Sequence, residues 1–257
     1  MMKDAVSELL RDHIYKMAAS GKRVDGRAPE EYREIKVRKG YAGNAEGSAR
    51  VNLGKTEVLV GVKMILGEPY PDRPKAGSIV TTMELIPMAS PTFEAGPPRE
   101  MAIELARVVD RGIRESKAID LGKLCIIEGE KVWIVFIDVH VLDYGGNLFD
   151  ASSFGALAAL TNAVVPASKI NGEDYPLEVE HYPISITATK IRDVIVFDAS
   201  LDEDRVADAR LTIATDENGH IRAMQKGLKG SFTLDEVDHV VKTARKLADE
   251  IRPKVVG

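Results

Sequence analysis

Apolar residues fall along the chain in two rhythms, and the changes between them mark out its elements. The longest alternating run is KVWIVFIDVHVLD, from Lys131 to Asp143. Trp133, Val135, Ile137, Val139 and Val141 give this strand one wholly apolar face. The other face begins with Val132, Ile134 and Phe136 and turns polar at Asp138 and His140. A strand buried on both faces at its start and polar on one near its end runs out of a core toward a site. The turn DYGGNLFD follows, Asp143 to Asp150, and then an alanine- and leucine-rich stretch predicts a helix over 151–165, stopped by Pro166.

Around that centre the same patterns place the other elements. A helix is expected over 4–20, with Val6, Leu9, Leu10, Ile14 and Met17 on one face and Gly21 closing it. Strands are expected over 34–38, 47–53 and 56–66, the last two joined by a tight turn at Gly54 and Lys55. Pro69, Pro71, Pro74 and Gly77 make 68–78 a loop before a strand over 79–88. Pro97 and Pro98 open a helix over 99–116 that turns Met101, Leu105, Val108, Val109 and Gly112 inward. Further strands fall at 124–127, 132–142, 184–189, 194–197, 209–215 and 221–226, with Asn218 and Gly219 turning the last hairpin. Thr233 and Glu236 form a capping box that starts a final helix with the stripe Val237, Val240, Val241, Ala244, Leu247, Ala248 and Ile251. No low-complexity linker interrupts this order. It predicts a single compact α+β domain over 1–257, with similar halves at 21–165 and 166–257 after the N-terminal helix.

At 257 residues, 44% hydrophobic and 29% charged, the composition is that of a soluble globular protein. No apolar run approaches the roughly eighteen residues a membrane span needs, and the N-terminus is unlike a signal peptide. The expectation is a cytoplasmic chain. Its single Cys125, in an apolar run, reads as a core thiol. The net charge of -5 argues against coating nucleic acid with the whole surface but allows a local basic patch.

Three constellations could carry chemistry. Gly145 and Gly146 before a helix could bind an anion through backbone amides. Yet no lysine or arginine lies between Lys131 and Lys169, while Asp138, Asp143 and Asp150 flank the turn, so it reads as structural. The acidic run Asp198, Asp202, Glu203, Asp204 and Asp208 is either a divalent-cation or general-acid site or a solvated loop. Arg107, Arg111 and Arg114 line one side of a helix over about 10 Å, a spacing suited to phosphates of single-stranded RNA. The alternative is a salt-bridged surface in which Glu104 pairs with Arg107, Asp110 with Arg114 and Glu115 with Arg111. No metal motif is present, since the five histidines lack ligand spacing.

Three stretches of the first half stand out, RVDGRAPEEYREIKVRKG (23–40), AEGSARVNLGKTEVLVGVK (45–63) and GEPYPDRPKAG (67–77). FEAGPPRE (93–100), IELARVVDRGIRES (103–116), VLDYGGNLFDAS (141–152), VADARLTIA (206–214) and AMQKGLKGS (223–231) complete the set. Together they resemble the RNase PH family, and within it the non-catalytic RNase PH-like subunit of the archaeal exosome. The resemblance implies the RNase PH fold, like the second domain of ribosomal protein S5, built from two βαβ-type halves. It implies a hexameric ring of three such subunits alternating with three catalytic sisters, under a trimeric cap of RNA-binding proteins. That ring degrades single-stranded RNA from its 3′ end by phosphorolysis. Inorganic phosphate, and Mg2+ as a candidate cofactor, belong to the assembly, and no cofactor is expected for this subunit.

Catalytic members carry a glycine, a small hydroxyl residue and an arginine where this chain has Gly146, Asn147 and Leu148. The phosphate clamp is therefore missing, and the expectation is a subunit without catalytic residues of its own. An acidic pair of the catalytic members falls near Glu203 and Asp208, so acidity persists here. The resemblance assigns RNA-backbone contact to Arg107 and Arg111 more firmly than to Arg114, whose link to Asp110 competes. A self-sufficient phosphorolytic exoribonuclease and a purely structural ring spacer are the alternatives.

Overall fold

A computed structural model describes residues 8–257. Its elements run α1 (Glu8–Ala19), β1 (Ile35–Lys39), β2 (Gly47–Leu53), β3 (Thr56–Gly67), β4 (Ser78–Leu85), α2 (Glu100–Glu115), β5 (Cys125–Ile127) and β6 (Lys131–Asp143). There follow α3 (Leu148–Leu160), β7 (Val164–Val165), β8 (Tyr175–Pro176), β9 (Ile184–Ile191), β10 (Val194–Phe197), α4 (Leu201–Val206), β11 (Ala209–Thr215), β12 (Ile221–Gly227) and α5 (Leu234–Val256). A first sheet has the order β1-β2-β3-β6-β4, with β5 also on β6, and a second has the order β10-β9-β11-β12. The pair β4 and β6 is parallel and is connected through α2, a βαβ unit; the second sheet is antiparallel throughout.

Helix α3 lies between the sheets, packed on β2 and β3 on one side and on β9 and α5 on the other. Every one of its residues is buried, as a helix without a polar face requires. Gly155 lets it approach β3 closely, because a Cβ there would stand 2.6 Å from a Val60 methyl. The apolar face of β6 closes the core, with Trp133, Val135, Ile137, Val139 and Val141 all buried. One contiguous apolar cluster runs from Ala49 to Val255 through both sheets.

Several expectations need correction. Helix α3 spans 148–160 and not 151–165, because Asn147 caps it and the chain turns at Thr161, five residues before Pro166. Leu9 does not join the core; it is exposed, and Ile14 and Ala18 make the inward face of α1. The expected start of that helix, 4–7, lies outside the described residues. Cys125 is half-buried on β5 and is not a core thiol. The acidic run is not simply a solvated loop: Asp202, Glu203 and Asp204 lie in α4, capped reciprocally by Ser200 and Glu203, and Asp198 and Glu203 are buried. Among the described residues no helix is long and apolar enough to cross a membrane.

Candidate nucleic-acid interface

Helix α2 buries Leu105, Val108, Val109, Gly112 and Ile113, which turns Arg107, Arg111 and Arg114 onto its outer side. All three line one trough of about 460 Å³, whose other wall is Thr81 and Thr82 of β4. The structure thus brings the expected residues together, but it treats them differently. Arg107 is exposed and has no hydrogen-bond or ion-pair partner among the described residues. Its expected partner, Glu104, instead accepts from Arg210 at 2.7 Å, and Arg210 stacks on Phe149. Arg111 donates to Gln225 Oε1 at 2.8 Å rather than to Glu115, which ties α2 to β12. Arg114 is held by both oxygens of Asp110 at 2.9 Å and by the carbonyl of Ile79 at 2.8 Å. Two guanidiniums are therefore available for an anion, and the third is committed.

The glycine turn is closed by its own chain. Asn147 adopts φ 52° as the N-cap of α3, donating through Nδ2 to Asp150 at 2.8 Å and to Asp198 at 3.0 Å. Its backbone N–H donates to Asp204 Oδ2 at 2.8 Å. An anion at this helix end would meet a carboxylate already in place, attracted by the same amide and dipole. Leu148, 1% exposed, points into the core and contributes no charge to the turn. Gly146 has φ 100°, and a Cβ on it would stand 2.5 Å from the carbonyl of Ala199, so the turn is locked against α4.

A cation does reach the turn, which the window 131–169 could not reveal. Arg33 donates to the carbonyls of Gly145 at 2.8 Å and Gly146 at 3.2 Å. It also pairs with Asp198 at 2.6 Å, and Arg27 joins that carboxylate at 2.9 Å. The charges are thus satisfied internally. Burial outweighs the donors at two carboxylates beside them: desolvation pushes Asp150 and Asp204 each up to about 6.

The acidic pair is spent on structure as well. Glu203 accepts from Arg23 Nε at 2.8 Å and Nη2 at 2.5 Å, with both side chains essentially out of water. Burial works against its charge, but the guanidinium and the Ser200 amide hold Glu203 below the usual carboxylate range. Asp208 pairs with Arg11 and accepts from the Arg192 amide at 2.7 Å. These residues do not fit a divalent-cation site, since their oxygens already face cations and amides. Among the described residues no cluster of His, Cys, Asp or Glu is arranged to hold a metal ion.

Residues 31–166 match the model of the 3′ exoribonuclease family (RNase PH), domain 1, and residues 181–246 match its domain 2. The chain belongs to the RNase PH family. Among its curated relatives, the exosome complex component Rrp42 of Methanocella arvoryzae is 53% identical over 258 residues, covering 100% of this chain and 99% of that protein. The exosome complex component Rrp42 of Thermococcus kodakarensis is 54% identical over 262 residues, covering 98% and 96%. The fold superposes on a chain of the Archaeoglobus fulgidus exosome with RNA bound to the active site, at TM-score 0.95 and 48% identity, covering 98% and 99%. A chain of an archaeal exosome core aligns over 100% of both at TM-score 0.92 and 43% identity. Rice Rrp46, at 16% identity and TM-score 0.69, shares the RNase PH fold.

Proposed function

We propose that this chain is a non-catalytic, RNA-holding subunit of an exosome ring that degrades RNA from the 3′ end by phosphorolysis. The observation that carries the reading is the closed turn: Asp204 occupies the amide of Asn147, and Leu148 faces the core. Phosphorolysis needs a positioned phosphate as nucleophile, and here the Asn147 amide is held by Asp204 while the guanidinium that reaches the turn, Arg33, is bound to Asp198. The chemistry then belongs to a catalytic RNase PH-like sister, three copies of each alternating in a hexameric ring beneath a trimeric cap, in the cytoplasm. Inorganic phosphate, and any Mg2+, act at the sister's site.

The part left to this chain is to complete the ring, to help structure the active site of the catalytic sister, and to hold single-stranded RNA at Arg107 and Arg111. The lack of a partner for Arg107 favours this over a plain spacer, because a salt-bridged surface would have used Glu104. Arg114, bound twice to Asp110, positions the trough wall and contributes little to RNA. The test is Arg107→Ala with Arg111→Ala in the assembled ring. RNA affinity should fall, and the slope of log affinity against log salt should flatten by about 1.4 for two lost phosphate contacts on a single strand. Unchanged affinity and slope at matched salt would leave the chain a spacer.

A further inference from the structure

The arginine trough does not end at α2. Thr82, Met83, Pro98 and Ala102 line both it and a second, larger chamber of about 750 Å³, so the two adjoin. The walls of the second chamber are apolar, with Leu85, Phe93 and Met101 prominent. Its floor is polar and built on neighbouring strands, where Thr82 lies opposite Asp138 and Glu84 opposite His140. Thr82 donates to Asp138 Oδ1 at 2.6 Å, and Oδ2 has no partner among the described residues. His140 Nδ1 meets Glu84 at 2.8 Å, which leaves its other ring nitrogen for a ligand. Phe93, from the loop that lines the chamber, stacks on Tyr144 with centroids 5.3 Å apart.

The charges differ between the two ends. Arg107 and Arg111 make the first chamber a place for phosphate. In the second, Glu84, Glu94 and Asp138 outnumber Arg99, which repels phosphate but accepts hydrogen bonds from amines. A volume of this size with apolar walls and a few convergent polar groups suits a flat, partly polar ring. We propose that the second chamber binds a nucleobase of the RNA whose phosphates lie on Arg107 and Arg111, with Asp138 accepting from its exocyclic amine. This rests on the RNA-holding reading above. Cytosine offers an N4 amine to Asp138, whereas uracil places a carbonyl oxygen there and meets repulsion. The arginines supply affinity blind to sequence, and the chamber adds a base preference.

The test compares oligocytidine and oligouridine of equal length, at matched salt, binding to the assembled ring. The wild-type ring should favour oligocytidine by about three- to tenfold, the worth of one or two net hydrogen bonds. Asp138→Ala should collapse that ratio, and His140→Ala should narrow it, each in rings whose assembly and melting match the wild type. Arg107→Ala with Arg111→Ala should weaken both oligonucleotides alike and keep the ratio. A wild-type ratio of one, or a ratio untouched by Asp138→Ala and His140→Ala, overturns the base chamber while leaving the arginine contacts intact. Affinity untouched by the arginine pair would instead overturn the RNA-holding reading itself. Loss of ring assembly on Asp138→Ala would mean that a basic segment of the sister subunit fills the chamber, and would also overturn the proposal.

Discussion

Glu203→Gln separates a structural carboxylate from a catalytic one. In the folded chain Arg23 is fully buried, and it donates two bonds to Glu203 at 2.8 and 2.5 Å. Its remaining bonds go to the carbonyls of Phe197 at 2.8 Å, Asp198 at 2.7 Å and Glu31 at 3.3 Å. Glutamine keeps the shape but removes the charge, so the guanidinium stays desolvated with only neutral acceptors. Breaking a buried pair from one side costs about 3–5 kcal/mol, and the three carbonyls put the expectation near the lower figure. For a chain of this size that is a fall in Tm of roughly 6–12 °C, readable by calorimetry on the isolated subunit. The folded carboxyl of Glu203 titrates below its ordinary value of 4.5, so its stabilisation is present above that pH and is lost as the pH falls. The deficit of the variant should therefore shrink in acid. Arg23→Met with Glu203→Met, which removes both charges, should melt closer to the wild type than Glu203→Gln does. The structural assignment is refuted if Glu203→Gln melts like the wild type while abolishing a phosphate-dependent RNA degradation carried out by this chain alone.

Other consequences follow from the closed turn. Leu148→Arg, which places a guanidinium in the sequence of the turn, should not create phosphate binding in a calorimetric titration, because the side chain enters the core and Asp204 keeps the Asn147 amide. It should lower Tm instead; phosphate binding by this single variant would contradict the geometry. Asp204 is raised from 3.8 to about 6, so the folded state binds the extra proton between those values. Its contribution to stability is present below about pH 4 and is lost as the pH rises to about 6. Urea midpoints from pH 4 to 7 should show a smaller decline in Asp204→Asn than in the wild type, and an identical decline would reject that assignment. Gly146→Ala should destabilise the chain by more than 1 kcal/mol, since both φ 100° and the Ala199 carbonyl at 2.5 Å oppose a Cβ; a neutral melt would show the turn to be loose.

The elements with a clean period were legible in the sequence: β6 with its apolar face, the buried side of α2, and the α5 capping box all stand where the pattern put them. Helix α3 was harder, because a segment buried on every side has no amphipathic edge to mark its ends, and its start is set by a left-handed asparagine. The acidic run was misread for a different reason. Its partners Arg23, Arg27 and Arg33 lie more than 150 residues away in sequence, and local pattern carries no sign of them. A separation of 112 residues likewise hid Arg33 from Gly145 in the glycine turn. The arginine stripe was visible as a spacing, but Gln225 on β12 and Arg210 on β11 decided which pairs form. The groove floor of Asp138 and His140 was foreshadowed by the change of polarity along β6, whereas its closeness to the arginine trough needed the parallel pairing with β4.

In the proposed ring this chain holds RNA and completes the assembly but does not cleave. The most direct test is RNA degradation with and without inorganic phosphate, by the purified chain alone and then mixed with a catalytic RNase PH-like sister. The chain alone should release no nucleoside diphosphate, and the mixture should release it in a phosphate-dependent way. Phosphate-dependent release by the chain alone, from a preparation free of other nucleases, would mean that the turn at Gly146, Asn147 and Leu148 binds phosphate despite Asp204, and would contradict the non-catalytic role.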